Sequence, residues 1–240
     1  MNRVYNFSAG PSRLPVPVLQ KAQADLLDYH GSGMSVMEMS HRSKWFDEII
    51  QNTEAGIRKV LNVPDNYKIG FFQGGATQQF AMVPLNFMTT GTADYLVTGN
   101  FSKKAAEEAA KFGTARIAAS SKDKNFTYIP KGYAIPSDLD YLHITSNNTI
   151  YGTEYHTDID SPVPLIADMS SDILSRPVDV SKYAMIYGGA QKNIGPAGLC
   201  IVIVRRDLMG HEDPKCPKLM SWALESKNDS MLNTPNTYGI

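Results

Sequence analysis

The chain has 240 residues, of which 42% are hydrophobic, and its formal net charge at pH 7 is −1. This length suits one large domain, or one and a half, with a sizeable core. The balanced charge argues against nucleic acid or a membrane surface as a partner selected by bulk charge, and no apolar run reaches membrane length. The two cysteines, Cys200 and Cys216, fit no metal-binding or disulfide pattern. We therefore expect no metal site, and a reducing, cytoplasmic setting.

The N-terminal part predicts an extended arm followed by two helices. Prolines recur through residues 1–15 and disfavour a helix there. A first helix fits Val18–Tyr29, and Gly31 stands at the position of a C-terminal cap. A second helix is predicted over Ser43–Leu61, where apolar residues that include Val60 recur at helical spacing. The loop between the helices mixes glycine and serine with methionine and valine, which indicates a packed loop.

Beyond the second helix, short apolar strands alternate with helical segments. This alternation predicts an α/β fold with a mainly parallel sheet. In such sheets ligands bind beyond the carboxyl ends of the strands, so the residues that follow each strand are the candidates for a site. Strands are expected at Tyr67–Phe72, Tyr95–Thr98, Ala115–Ala118, Tyr141–Thr145, Leu165–Ala167, Tyr183–Tyr187 and Leu199–Val204, with helices starting within 73–79 and spanning Ser102–Phe112.

Lys192 lies in a glycine-rich turn between the last two of these strands. A turn in that position can desolvate the ammonium and lower its pKa, which is how a lysine becomes a Schiff-base nucleophile. A solvated turn lysine is the alternative. Asp168 directly follows the strand Leu165–Ala167 and precedes Lys192 by 24 residues, about one crossover and one strand, so both should reach the same sheet edge. It suits a protonated pyridine nitrogen, although with Ser170 nearby it also suits a capping role.

Three further post-strand segments carry candidate binding groups. Small residues at 74–77, which include Ala76 and Thr77, would let backbone N–H groups close on an anion, or form a plain tight turn. Phe101 could stack on a flat ring or staple the following helix. Thr149 could offer its hydroxyl to a ring substituent or belong to an ordinary turn. Taken with Lys192 and Asp168, these residues are what pyridoxal phosphate requires.

The chain resembles the phosphoserine aminotransferases, class-V aminotransferases that belong to the fold-type-I pyridoxal-phosphate enzymes. The resemblance covers the chain nearly end to end. It rests on Asn6-Phe7-Ser8-Ala9-Gly10-Pro11, Ser35-Val36-Met37-Glu38-Met39-Ser40-His41-Arg42, Gln73-Gly74-Gly75-Ala76, His143-Ile144-Thr145-Ser146-Asn147-Asn148-Thr149-Ile150, Ala167-Asp168-Met169-Ser170-Ser171-Asp172-Ile173-Leu174-Ser175-Arg176, Gly188-Gly189-Ala190-Gln191-Lys192-Asn193 and Asn233-Thr234-Pro235.

The resemblance implies a role for each matching residue. Lys192 would form the Schiff base with pyridoxal phosphate, Asp168 would pair with the ring nitrogen, and Thr149 would contact the ring. Phe101 would stack where many relatives have tryptophan. The cofactor phosphate would be held by Ala76, Thr77 and Gln191, and by Asn233 and Thr234 of the second subunit of a homodimer. The substrate would be bound by Ser8, His41 and Arg42. Some relatives carry an arginine near the position of Thr77, so the way the substrate phosphate is held departs from theirs.

The implied fold is a three-layer α/β/α sandwich, with an arm over 1–15 and a cofactor-binding large domain over 16–240. The implied reaction moves an amino group from glutamate to 3-phosphohydroxypyruvate, which gives 2-oxoglutarate and phosphoserine for serine biosynthesis. The phosphate intermediate 4-phosphohydroxythreonine of pyridoxal phosphate synthesis is a possible second product. Family members continue into a C-terminal small domain that this chain lacks, so a cofactor-binding or dimerising fragment without turnover is the alternative. A cysteine desulfurase is disfavoured because neither cysteine lies in a reactive loop motif, and a nucleotide-binding module lacks a phosphate-binding lysine.

Overall fold

The structure, a computed structural model, describes residues 3–240. That part of the chain forms a seven-stranded sheet with α-helices on both faces. No helix within it is both long enough and apolar enough to cross a membrane. The helices are α1 (Val16–Ala24), α2 (Lys44–Leu61), α3 (Gln79–Phe87), α4 (Asn100–Ala109) and α5 (Trp222–Lys227). The strands are β1 (Tyr67–Gln73), β2 (Thr92–Val97), β3 (Thr114–Ser120), β4 (Leu142–Thr145), β5 (Leu165–Asp168), β6 (Met185–Gly189) and β7 (Leu199–Arg205).

The sheet has the strand order β1-β7-β6-β5-β4-β2-β3 and is mainly parallel, as predicted. The exception is β7, which runs antiparallel to both β1 and β6. Only Ala190–Gly198 connects β6 to β7, and a parallel crossover needs a dozen or more residues, so this short connection forces the antiparallel pairing. Because β1 is antiparallel to β7, it points in the same direction as β6, β5, β4 and β2.

The two faces of the sheet bury two separate apolar clusters. Side chains alternate along the strands, so Phe71 and Phe72 enter different clusters, as do Ile186 and Tyr187. On one face the strands pack with Phe46 of α2, and on the other they pack with residues of α3, α4 and α5. This arrangement is the predicted three-layer α/β/α sandwich.

The helices differ from the predictions mainly at the N-terminal end. The first helix was predicted over Val18–Tyr29 but spans Val16–Ala24, because prolines are tolerated in a first turn, and none of its residues is buried. The second, predicted over Ser43–Leu61, spans Lys44–Leu61, and the Ser43 side chain caps it by accepting a hydrogen bond from the Phe46 N–H. Val60, predicted to lie on the apolar face of this helix, is instead 63% exposed. A single apolar residue that fits the helical spacing can still lie on the solvated face of the helix.

Candidate active site

The candidate site lies at the carboxyl ends of the parallel strands, where Asp168 ends β5 and Lys192 follows β6. The N-terminal arm crosses this edge, since the Ser12 N–H donates to the Gln191 carbonyl oxygen at 3.0 Å and the Ser12 hydroxyl donates to the Lys192 carbonyl oxygen. A Cβ at Gly10 would lie 2.9 Å from Lys192 Cγ, so the close approach of the arm requires a glycine there. The lysine turn is therefore covered on one side by main chain.

Lys192 is held by two groups that reach it from different strand ends. Its Nζ donates a hydrogen bond to Thr149 Oγ1 at 2.6 Å and lies 4.5 Å from the centroid of the Phe101 ring. Burial lowers the pKa of the Lys192 ammonium, and the charges of Asp168 and Asp172 oppose that effect. The solvated turn lysine is thus the wrong interpretation. The side chain is half-buried, fixed and easier to deprotonate than a free lysine.

Thr149 belongs to a chain of hydrogen bonds that leads away from the lysine. Its hydroxyl donates to Ser171 Oγ at 3.1 Å, and Ser171 donates in turn to Asn147 Oδ1 at 3.1 Å. The Asn147 side-chain amide donates to Glu154 Oε2 at 3.2 Å. Each member donates to the next, so the lone pairs of Thr149 Oγ1 are directed toward Lys192.

Asp168 is buried at the end of β5 and is anchored through one of its two oxygens. The Ser170 N–H and the Ser170 hydroxyl both donate to Oδ1, at 3.0 and 2.6 Å. These are the contacts that the capping interpretation predicts. Burial raises the pKa of this carboxyl, while the bonds from Ser170 and the charge of Lys192 act in the opposite direction. Since both bonds fall on Oδ1, Oδ2 is the oxygen that a cation in the site would meet.

Phe101 is set by the start of α4. The backbone N–H groups of Thr98 and Gly99 both donate to Ser102 Oγ at 3.0 Å, which fixes the turn between β2 and the helix. A Cβ at Gly99 would lie 2.7 Å from the side chain of Asn148, so the loop that carries Thr149 packs directly on this turn. Phe101 also packs on the apolar cluster, so the staple interpretation describes part of its contacts.

The turn after β1 forms a cup of small residues. Gly74 has a φ of +89°, a conformation that favours glycine, and a single 3-10 turn over Ala76–Gln78 precedes α3. The cup faces the lysine turn, because a Cβ on Gly189 would lie 3.4 Å from the Ala76 nitrogen and 2.8 Å from Gln191 Oε1. Gln191 Oε1 is buried and has no hydrogen-bond partner within the described part of the chain. A buried acceptor left in this state marks a place for a hydrogen-bond donor.

The remaining predicted residues make no polar contact with the lysine. Within residues 3–240, no side-chain hydrogen bond or ion pair joins Ser8, His41 or Arg42 to Lys192. Ser8 and Arg42 are exposed, whereas His41 Nε2 is buried without a partner in the described residues. Asn233 and Thr234 are exposed, and the Thr234 carbonyl oxygen accepts a hydrogen bond from the Gln73 side chain at the edge of the cup.

Sequence reasoning missed Ser12, Ser146 and Asp172, which support the site from behind. The signal for Ser146 was its position directly after β4. Asp172 had only its place in a serine-rich turn after β5. No group of histidine, cysteine or acidic side chains in residues 3–240 is arranged to hold a metal ion. Cys200, in the strand β7, is fully buried, and burial raises its thiol pKa.

Comparison with known proteins gives consistent matches over the whole chain. The sequence pattern of the family described as Aminotransferase class-V matches residues 4–240. The chain is 54% identical to a phosphoserine aminotransferase of Bacillus cereus, with 100% of this chain and 68% of that protein covered. A solved phosphoserine aminotransferase, described for radiation damage of its Schiff base, superposes with a TM-score of 0.96 at 47% identity, over 99% of this chain and 67% of that one.

A phosphoserine aminotransferase from Trichomonas vaginalis, solved with pyridoxal phosphate bound, has a TM-score of 0.93 at 39% identity. The superposition covers 98% of this chain and 71% of the Trichomonas vaginalis protein. The chain spans about two thirds of the length of the proteins that it matches.

Proposed function

Because the chain belongs to the class-V aminotransferase family, we propose that it is a pyridoxal-phosphate-dependent transaminase of serine biosynthesis. The observation that carries this proposal is the state of Lys192, whose amine is half-buried, bonded to Thr149 Oγ1 at 2.6 Å and lowered in pKa by burial. A lysine in this state is suited to attach a carbonyl cofactor. The names of the similar proteins support the same reaction class.

The residues present fit the cofactor. The glycine cup at Ala76 and Thr77 offers backbone donors for a phosphate, and the Gln191 side chain lies at its edge. Among the described residues only Ser170 donates to Asp168, through Oδ1, which leaves Oδ2 for a protonated ring nitrogen. Phe101 covers the lysine from one side and offers a face for the ring. When bound, pyridoxal phosphate supplies an electron sink for the carbanion at the substrate α-carbon.

The residues of the chain then divide the remaining work. The Lys192 amine would act as the general base for the proton of the substrate α-carbon and then, as an ammonium, as the general acid that delivers it to a different carbon, which requires a neutral amine near working pH. Burial favours that neutral form. Asp168 keeps a ring nitrogen protonated because its own charge is buried and needs a cation. Thr149 orients the amine through the bond to Nζ.

The proposed substrates are glutamate and 3-phosphohydroxypyruvate, with 4-phosphohydroxythreonine as a second product. Arg42 is suited to a phosphate or carboxylate because its planar guanidinium binds such groups in a bidentate manner. The buried, unpartnered His41 Nε2 gives a second polar group beside it, and Ser8 is a third candidate. The cytoplasm is the proposed compartment, which agrees with Cys200 and Cys216 being free thiols.

The first experiment separates cofactor attachment from turnover. The purified chain is mixed with pyridoxal phosphate, reduced with borohydride and digested, and the modified lysine is identified by mass spectrometry. We expect modification of Lys192, its loss in Lys192→Ala, and no change in Lys182→Ala, which alters an exposed lysine. A label spread over exposed lysines would refute the cofactor site. Glutamate added to the loaded chain then converts its visible spectrum if the chain transaminates, whereas an unchanged spectrum identifies a binding fragment.

We further propose a homodimer in which Asn233 and Thr234 complete the partner's phosphate site. Both residues are exposed in the single chain, as such a role requires. The test mixes Lys192→Ala chains with Asn233→Ala/Thr234→Ala chains after partial unfolding and refolding. Random pairing of two chains restores intact sites at about a quarter of the parental number, because half of the dimers are mixed and each has one intact site. Cofactor uptake no higher than in the two unmixed variants would contradict shared sites.

A further inference from the structure

A second buried carboxylate lies behind the candidate site and has no part in the proposed chemistry. Asp172 is 4% exposed and sits in the turn that follows β5. This turn is tied to the lysine turn, since the Asn193 side-chain amide donates to the Ile173 carbonyl oxygen at 2.6 Å. An acidic group is costly to bury, so its presence here calls for a partner or a role.

Ser146 connects Asp172 to the main chain of Asp168. The Ser146 N–H donates to the Asp168 carbonyl oxygen at 2.9 Å. The Ser146 hydroxyl lies 3.0 Å from the same carbonyl oxygen and 2.6 Å from Asp172 Oδ1. One hydroxyl proton thus has two acceptors. An ionised Asp172 takes that proton, whereas a protonated Asp172 donates to Ser146 Oγ and frees the hydroxyl for Asp168.

The charges around Asp172 come from several elements. Burial raises its pKa to about 6, the bond from Ser146 and the charge of Arg176 lower it, and the charges of Glu154 and Asp168 raise it. At pH values where a lysine amine titrates, Asp172 is therefore ionised. Its negative charge is one of two that raise the pKa of Lys192 against the effect of burial, the other being that of Asp168.

We propose that Asp172 is a positioning residue that sets the proton affinity of Lys192 by its charge and holds the end of β5 through Ser146. Only the description of Lys192 as the reacting amine rests on the proposed function. The charge, the hydrogen bonds and the burial belong to the chain itself. Asp168 would pair with the cofactor ring and would keep its charge for it. Asp172 lies one turn further on and tunes the lysine without touching a ligand.

The test measures the titration of Lys192 in the chain without cofactor. Lysines are acetylated in competition with a radiolabelled standard amine across pH 6–11, and the peptide that carries Lys192 is quantified by mass spectrometry, with exposed Lys218 as an internal reference. In Asp172→Asn we expect the pKa of Lys192 to fall by about half a unit or more, which raises the fraction of neutral amine several-fold. An unchanged titration of Lys192 in a folded Asp172→Asn chain would overturn the proposal.

Further variants separate charge from packing. Asp172→Ser removes the charge and keeps a hydroxyl for Ser146, so it should lower the Lys192 pKa as Asp172→Asn does. Ser146→Ala keeps the charge, and Lys192 should titrate as in the parent. Glu225→Gln neutralises another buried acid, in α5, and should leave the titration of Lys192 unchanged.

If neither Asp172 variant unfolds cooperatively, Asp172 has a structural role and the proposal fails. Borohydride trapping measures cofactor attachment separately. A shifted Lys192 pKa without cofactor attachment would therefore refute the proposed transaminase function and support the inference about Asp172.

Discussion

Phe101 is an aromatic side chain that the candidate site offers to a flat ring. The centroid of its ring lies 4.5 Å from Lys192 Nζ, so the ring lies over the amine. A phenylalanine presents less aromatic area than a tryptophan does, so the stack that it offers a flat ring is weaker. The affinity for the cofactor should therefore respond to the size of this one side chain.

We predict that Phe101→Leu weakens the binding of pyridoxal phosphate by up to about tenfold, since an aromatic pair contributes about 0.5–1.5 kcal/mol beyond its buried area. Phe101→Trp should strengthen binding. The dissociation constant is measured from the change in visible absorbance on titration with cofactor. Phe112→Leu, at an exposed position after α4, is the matched control and should leave the constant unchanged. Equal affinities for all three side chains at position 101 would show that the ring does not stack there.

Asp172 gives a second prediction at the residue scale, on stability rather than on binding. Its pKa in the folded chain is about 6, against 3.8 for an ordinary aspartate. The folded state therefore binds more protons than the unfolded state between these values, so this group lowers the free energy of unfolding as pH rises through the window. The total is about 3 kcal/mol at about 1.4 kcal/mol per pKa unit.

In Asp172→Asn this pH-dependent loss should disappear. Urea unfolding curves at steps from pH 4 to pH 7 measure it as the difference between parent and variant free energies. The free energy of unfolding of the variant, relative to that of the parent, should rise with pH and level off above pH 6. Glu225→Gln is the comparison at another buried acid in α5. A difference independent of pH would mean that Asp172 keeps an ordinary pKa in the folded chain.

At the scale of elements, two close contacts hold the loops of the site together. A Cβ on Gly99, between β2 and α4, would lie 2.7 Å from the Asn148 side chain. Asn148 has little freedom to move, because its amide donates to the Thr98 carbonyl oxygen at 2.7 Å and its Oδ1 accepts from the Ile150 and Tyr151 N–H groups. The position of Thr149 thus depends on the absence of a side chain at residue 99.

We predict that Gly99→Ala destabilises the chain by about 1–3 kcal/mol, the usual cost of overpacking, and also weakens cofactor binding because Thr149 is displaced. Gly56→Ala is the matched control. It lies exposed within α2 with nothing within 4 Å of the added methyl group, and it should stabilise the chain by about 0.5–1 kcal/mol because alanine is the better helix former. Denaturant unfolding with and without cofactor measures both effects. A neutral Gly99→Ala would show that the Asn148 loop moves freely.

Much of the element order follows from the sequence because apolar runs of strand length alternate with helical spacing. The second helix and the mainly parallel sheet are confirmed by the structure. The antiparallel β7 was not predicted, although the short Ala190–Gly198 connection carried the signal. The end of α1 was missed because nothing in the described chain buries that helix, so no packing follows its apolar spacing.

The predictions for the site depended on a different signal. Lys192, Thr149, Phe101 and Asp168 each follow a strand of the same direction, so the rule that parallel strands end at one edge was enough to group them. Ser146 and Asp172 are joined by a hydrogen bond between residues 26 positions apart. That pairing depends on the register of β4 beside β5, which sequence spacing does not fix.

At the scale of the whole molecule, a histidine in the middle of the sheet opposes Asp172 in the response to acid. His143 lies on β4, stacked on Tyr95 at a centroid distance of 5.0 Å, and its Nε2 is 2.9 Å from the Tyr187 hydroxyl oxygen. Burial lowers the pKa of His143 from 6.5 to about 3. The unfolded state binds the additional proton between these values, so the free energy of unfolding falls as pH falls through the window.

The two groups overlap between about pH 4 and pH 6 with opposite signs, because Asp172 stabilises the folded chain on acidification and His143 destabilises it. The free energy of unfolding of the parent chain should therefore change little with pH across this range.

We predict that His143→Gln is less stable than the parent at pH 7 because packing is lost. Below pH 6 its free energy of unfolding should rise relative to that of the parent by about 1.4 kcal/mol per pH unit. His211→Gln, at an exposed position, should follow the parent. Because Asp172→Asn should show the reverse trend, the parent lies between the two variants, and the double variant should again respond weakly to pH. A strong slope in the double variant would mean that a third buried group, with Asp168 the first to examine, controls acid unfolding.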